Sequence, residues 1–321
     1  MSSSFFFMKQ YPTIIKILLL IALATSLASC SISMSIDINN VEYDKETFLW
    51  KFNPRTNMLF SEIDYGVAEA FSYPLVIDED DEKFRFKLFV PKNNTLDSTR
   101  LTILIPPMRT SQYFMYGLLS ESIRQGNITV ILPNRGVIGG LNESLEERLG
   151  LEEINDVFKI IKASSEVLGK EIKSVSLFGA SLGGVVALNA VKSDTNNSIK
   201  KIAIESPPYD IFDAAKKVMG EEEYLAKLKS SPEKIESYEN ISTNKILKNL
   251  TSEIPILLIY SAEDKFIPQS DFHSLEENLK ASFSDLKIIK FEEGPHHFRM
   301  GFPLSEEEVL KLNKDIIDFL R

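Results

Sequence analysis

Ser181 stands in Val175-Ser176-Leu177-Phe178-Gly179-Ala180-Ser181-Leu182-Gly183-Gly184, an apolar, partly β-branched run that breaks into a turn of small residues. The glycines two before and two after the serine remove Cβ atoms where a strand turns sharply into a helix, so the serine can be held strained with its Oγ exposed. Asp264 follows a later apolar run and the pair His296-His297 follows another, so serine, acid and histidine occur in that order along the chain. Serine is a weak nucleophile at its free pKa. It needs a base to take its proton and a third group to hold that base in one tautomer, and these residue types can fill both roles. The chain has three histidines and one cysteine, too few to assemble a zinc-ligand set or a disulfide framework. No metal and no cofactor is therefore expected.

The three histidines divide by context. His273 lies in Asp271-Phe272-His273-Ser274-Leu275, a helical pattern, and reads as an exposed or half-buried helix residue. His296 and His297 lie in Glu293-Gly294-Pro295-His296-His297-Phe298, a Gly-Pro turn after a strand, from which a loop histidine can swing over a sheet edge.

These residues require a sheet to hold them. From Leu101 onward the chain alternates short apolar runs with helical periodicity, the pattern of a parallel sheet buried on both faces. The expected strands are Leu101–Ile105, Ile128–Leu132, Ser174–Phe178, Ile199–Ile204, Pro255–Tyr260 and Leu286–Phe291. Helices are expected over Gln112–Arg124, Leu151–Leu168, Leu182–Lys192, Ser270–Phe283 and Ser305–Leu320. Ahead of them, Ala70–Ile77 and Lys83–Val90 flank an acidic turn and read as a hairpin, the second strand alternating through Phe84, Phe86, Leu88 and Val90. Residues 207–253 separate two strands by more than a βαβ unit needs, are rich in helix formers, and form a candidate lid.

From about Ala70 to Leu320 these motifs, taken in register, resemble the α/β-hydrolase superfamily. The resemblance implies an α/β fold with a mostly parallel central sheet flanked by helices and a helical insertion before the acid-bearing strand. It implies Ser181 as nucleophile. Ser261-Ala262-Glu263-Asp264-Lys265-Phe266-Ile267-Pro268 resembles the family's acid loop and marks Asp264 as the acid, with Glu205 after the preceding strand as the alternative. The histidine turn, similar to the Gly-x-x-His-Phe of many members, marks His297 as the base, with His296 as the alternative. One oxyanion-hole amide would come from Leu182. The other would come from the loop after Leu101–Ile105, which reads Pro106-Pro107-Met108-Arg109-Thr110 where the family usually has His-Gly-x. Neither proline has an N–H, so Met108 is the matching donor.

The N-terminus carries a separate signal. Lys9 and Lys16 precede the short apolar stretch Ile17–Ala24, which ends in Leu27-Ala28-Ser29-Cys30. Positive charge, a short apolar core and small residues are the pattern of a secretory signal peptide, too short for a comfortable membrane span. Leu27-Ala28-Ser29-Cys30 resembles a bacterial lipobox, which implies removal of residues 1–29 and acylation of Cys30. Ser31 follows the cysteine where an inner-membrane retention signal would have aspartate, so the outer membrane is implied in a two-membrane bacterium. Residues 30–66 then read as a tether and N-terminal segment, and 67–321 as a single hydrolase domain. The formal net charge of -10 excludes nucleic acid as a partner, since phosphate binding needs a basic surface. The expectation is a lipid-anchored serine hydrolase acting on a small acyl substrate, most simply a carboxylic ester. A serine peptidase or thioesterase of the same fold, or a non-catalytic envelope binding protein, are the alternatives.

Overall fold

The computed structural model describes residues 48–52, 68–79, 82–92, 99–107, 112–133, 150–222, 224, 232–294, 296 and 304–321. The signal-like segment, Cys30, Met108, Arg109 and His297 lie outside these residues.

Among the described residues nine strands form one sheet in the order β1-β2-β3-β5-β4-β6-β7-β8-β9. They are β1 (Phe48–Phe52), β2 (Ala68–Glu79), β3 (Glu82–Pro91), β4 (Arg100–Ile105), β5 (Ile128–Ile131), β6 (Ser174–Ala180), β7 (Ile199–Glu205), β8 (Ile256–Ser261) and β9 (Leu286–Phe291). The first three run antiparallel to their neighbours, β3 joining the rest through Leu88 opposite Val130. The remaining six are parallel to one another. Their sequences explain this: β5 and β8 are buried at every position, and β4 at every position but Arg100, as in a sheet covered on both faces.

Alternate residues feed two cores. Ile103, Val130, Leu177, Ile202 and Leu258 face one side, where α2 (Leu151–Leu168), α3 (Leu182–Ser193) and α7 (Gln269–Ser282) pack. Leu104, Ile131, Phe178, Ala203 and Leu257 face the other, against α1 (Tyr116–Arg124) and α8 (Glu306–Leu320). Helix α8 begins in a capping box in which Ser305 Oγ accepts from Glu308 N and Glu308 Oε2 accepts from Ser305 N. Its far end is held by Ser176 Oγ, which donates to the Leu320 carbonyl at 2.6 Å. Ser176 thus has a structural use on the strand leading to Ser181.

Two features depart from the expected organisation. Phe48–Phe52 pairs with β2 as an antiparallel edge strand inside the segment expected to be a tether. Aromatic residues at three of five positions favour that choice. The insertion at 207–253 holds α4 (Ile211–Met219), α5 (Pro232–Ile241) and α6 (Thr243–Ile246), and its later part belongs to the core. Ile246 and Leu247 are buried, and Asn189 Nδ2 of α3 donates to the Ile241 carbonyl at 2.8 Å. Ser282 Oγ of α7 likewise donates to the Leu247 carbonyl at 2.9 Å. The stretch from Ile241 to Leu250 is therefore drawn against α3 and α7, and α4 joins the same core through Ile211 and Ala215. Among the described residues no helix is long and apolar enough to cross a membrane.

The strand order has one consequence for the site. The chain steps from β4 outward to β5 and then returns to the opposite side of β4 for β6, so the connections leaving β4 and β6 diverge to opposite faces. A crevice opens at the carboxyl ends of the strands at such a switch point. The turn after β6 lies there.

Candidate active site

Ser181 occupies that turn between β6 and α3 with φ 51° and ψ -121°, a conformation an L-residue adopts only under constraint. Such a residue costs of order 1–3 kcal/mol and persists because its surroundings over-determine it. The surroundings are visible. Ser181 N donates to the Glu205 carbonyl at 2.7 Å and Gly184 N to the Ser181 carbonyl at 2.8 Å, which fixes both sides of the turn. A Cβ on Gly179 would lie 2.1 Å from the Gly183 carbonyl oxygen, and one on Gly183 would lie 2.3 Å from the Ile105 carbonyl oxygen. The glycines flanking the serine are therefore required by backbone approach, with the end of β4 pressed directly against the first turn of α3.

Asp264 lies in the turn after β8, its side chain fully buried. Its Oδ1 accepts from Phe266 N at 2.8 Å and Ile267 N at 2.9 Å. That pair of bonds fixes the carboxylate and leaves Oδ2 free to face the histidine turn. This turn is tied to β8 in its own right: Ser261 Oγ donates to the Gly294 carbonyl at 2.9 Å, two residues before His296.

The imidazole that meets both groups belongs to His296. Its Nδ1 is 2.6 Å from Asp264 Oδ2 and its Nε2 is 2.9 Å from Ser181 Oγ. The sequence reading favoured His297, which lies outside the described residues; the ring placed between Ser181 and Asp264 is that of the alternative, His296. The physical reason is the short arm from the pinned Gly294 carbonyl, which brings the first histidine of the pair over the serine. With Asp264 at Nδ1, the proton on that nitrogen points to the carboxylate and Nε2 is left to accept from the serine hydroxyl. The group is 8% exposed at His296, so the contacts are largely shielded from water while remaining reachable.

The other residues singled out in the sequence take different places. Glu205 is fully buried at the end of β7 and contributes its main-chain carbonyl to the Ser181 turn, while the acid at His296 Nδ1 is Asp264. Glu263 is exposed. His273 is exposed on α7, 3.4 Å from Glu277, far from any role with Ser181. Leu182 opens α3 directly after the serine, so its N–H belongs to the unsatisfied first turn of a helix, where the helix dipole favours negative charge. Missed in the sequence was Phe266, whose ring stands edge-on to His296 with centroids 5.4 Å apart. Its position two residues after the acid was the available signal.

The arrangement can activate the hydroxyl for attack on a carbonyl and can return the proton to a leaving group.

Several solved proteins share this shape. An esterase from Pyrococcus furiosus superposes with a TM-score of 0.58 at 16% identity, over 78% of this chain and 93% of that one. The acylaminoacyl peptidase of Pyrococcus horikoshii gives 0.62 at 17% identity, over 81% of this chain. This chain spans only 43% of that peptidase. Est1E from Butyrivibrio proteoclasticus gives 0.55 at 17% identity, over 76% of this chain and 97% of that one. At such identities these likenesses bear on the fold alone. No curated protein is a significant match to the chain. The model of the prolyl oligopeptidase family matches residues 121–321, well over half of the chain and the part that contains the serine, the acid and the histidine. With its α/β-hydrolase fold and serine-hydrolase class of chemistry, the chain belongs to the prolyl oligopeptidase family.

Proposed function

We propose that the protein is a carboxylesterase working through Ser181, His296 and Asp264 and an acyl-enzyme. The observation that carries this reading is the single imidazole within hydrogen-bond reach of both Ser181 Oγ and Asp264 Oδ2. Ser181 Oγ attacks the acyl carbonyl as its proton passes to His296 Nε2. Asp264 stays ionised and stabilises the imidazolium. The tetrahedral oxyanion is held by the Leu182 amide and a second amide from Met108. This hole is supported by the contact of Gly183 with the Ile105 carbonyl, which brings the chain leaving β4 against the serine turn. His296 then protonates the departing alcohol, the Ser181 ester forms, and water activated by the same imidazole releases the acid.

The ester reading draws on the Pyrococcus furiosus esterase, 93% of whose length this chain covers, and on the apolar ring beside His296. A second reading, hydrolysis of a peptide or acylamino bond, is favoured by the family match. The purified protein is expected to turn over short-chain p-nitrophenyl esters at least 100-fold faster, in kcat/KM, than acylaminoacyl anilides of the same acyl group. The opposite ranking would replace the esterase reading with the peptidase one and leave the three residues in place.

We also propose that Cys30 carries lipid and anchors the protein to a bacterial membrane, the outer one where there are two. The support is the charged, apolar and small-residue pattern ending in Leu27-Ala28-Ser29-Cys30. Mass spectrometry of the mature N-terminus is expected to find acyl groups on Cys30. An unmodified cysteine at that cleaved terminus would refute the anchor.

A further inference from the structure

Phe266 is the exposed large apolar side chain among the described residues, with 44% of its surface open to solvent. Single exposed apolar residues are ordinary on protein surfaces. This one differs in where it is and how firmly it is held. Its N–H is bound to Asp264 Oδ1, and its neighbour Ile267 is buried and bound to the same oxygen. Its carbonyl accepts from Lys217 Nζ of α4 at 3.0 Å, so the insertion also grips it. The ring meets the His296 imidazole edge-on, at 62° between planes. An apolar ring is thus locked beside the base, on a loop whose backbone is fixed by the acid.

The reaction gives that place a use. When Ser181 Oγ bonds to the acyl carbon and the carbon–oxygen bond to the alcohol breaks, the departing oxygen takes its proton from His296 Nε2. That oxygen must come within about 2.6–3.2 Å of Nε2 to do so. The carbons attached to it then lie against whatever flanks the imidazole. We propose that Phe266 is the wall of the leaving-group subsite and that the physiological substrate is an ester whose alcohol portion is apolar. Water is displaced from the ring only when that portion binds, so its size sets the specificity. The inference rests on the esterase reading above.

The test compares the wild type with Phe266→Ala and Phe266→Leu on two ester series. In one the acyl group is fixed as butyryl and the alcohol runs from methyl through butyl to benzyl. In the other the alcohol is fixed as methyl and the acyl group lengthens from acetyl to octanoyl. In Phe266→Ala the benzyl-to-methyl ratio of kcat/KM is expected to fall on the order of 10-fold or more, the scale of losing apolar contact in a pocket. Phe266→Leu should restore part of it, and the octanoyl-to-acetyl ratio should hold within about two-fold. Because each ratio is taken within one variant, a change in folded fraction cancels. An unchanged alcohol ratio, or a shift in acyl-length preference in its place, would overturn the subsite while esterase activity persisted. A wild type that hydrolyses no member of either series would overturn the esterase reading itself, and the subsite with it.

Discussion

His296→Ala is expected to lower kcat for ester hydrolysis by roughly 10⁴–10⁶-fold, the range seen when a member of such a unit is removed from a serine hydrolase. His297→Ala should change it by less than about 10-fold. Nε2 of His296 already sits 2.9 Å from Ser181 Oγ and its Nδ1 2.6 Å from Asp264 Oδ2, so both partners of the reaction's base are engaged by the one ring. Without it Ser181 has no acceptor for its proton, and the Asp264 carboxylate keeps only its two backbone donors. The fold should tolerate the change, because the histidine turn keeps the bond from Ser261 Oγ to the Gly294 carbonyl when the imidazole is removed. Steady-state turnover of a short-chain p-nitrophenyl ester by the two single variants decides the matter, and a larger loss in His297→Ala would return the role to the second histidine.

Asp264→Asn should cost about 10⁴-fold in kcat with little change in stability, the magnitude known for this substitution in a chymotrypsin-type triad. Asparagine is nearly isosteric, and its carbonyl oxygen can still accept from Phe266 N and Ile267 N. That choice turns its NH₂ toward His296 Nδ1. A donor at Nδ1 forces the proton of the neutral ring onto Nε2, so the nitrogen facing Ser181 becomes a donor and cannot take the serine proton. The loss should therefore appear as a fall in kcat with the thermal unfolding midpoint close to that of the wild type. A loss confined to stability, with kcat per folded molecule preserved, would show Asp264 to be structural.

Much of this was legible in the sequence because its cause is local. The parallel strands announce themselves as short apolar runs, and Leu286–Phe291 and Leu151–Leu168 match the structure end to end, the first as a half-buried edge strand whose lysines are exposed and the second as a helix with one buried face. Gly179, Ser181 and Gly183 were legible because the turn tolerates no Cβ on either side. The choice between His296 and His297 was not, because it depends on where a turn is pinned, and that pin is Ser261, more than thirty residues away in the chain. Phe48–Phe52 was hidden for a related reason. An edge strand is specified by the partner it pairs with, here Ala68–Ser72, and its own five residues carry little periodicity. The later part of the insertion reads in sequence as part of the candidate lid, yet Asn189 and Ser282 on two other helices bind its carbonyls and draw it into the core.

The central claim is that the strained Ser181 is the nucleophile. Its most direct test is covalent labelling by a fluorophosphonate, with the modified residue located by peptide mass spectrometry. One adduct per chain is expected, on the Oγ of Ser181, and none in Ser181→Ala. An adduct on another residue of the wild type, or undiminished labelling of Ser181→Ala, would contradict it.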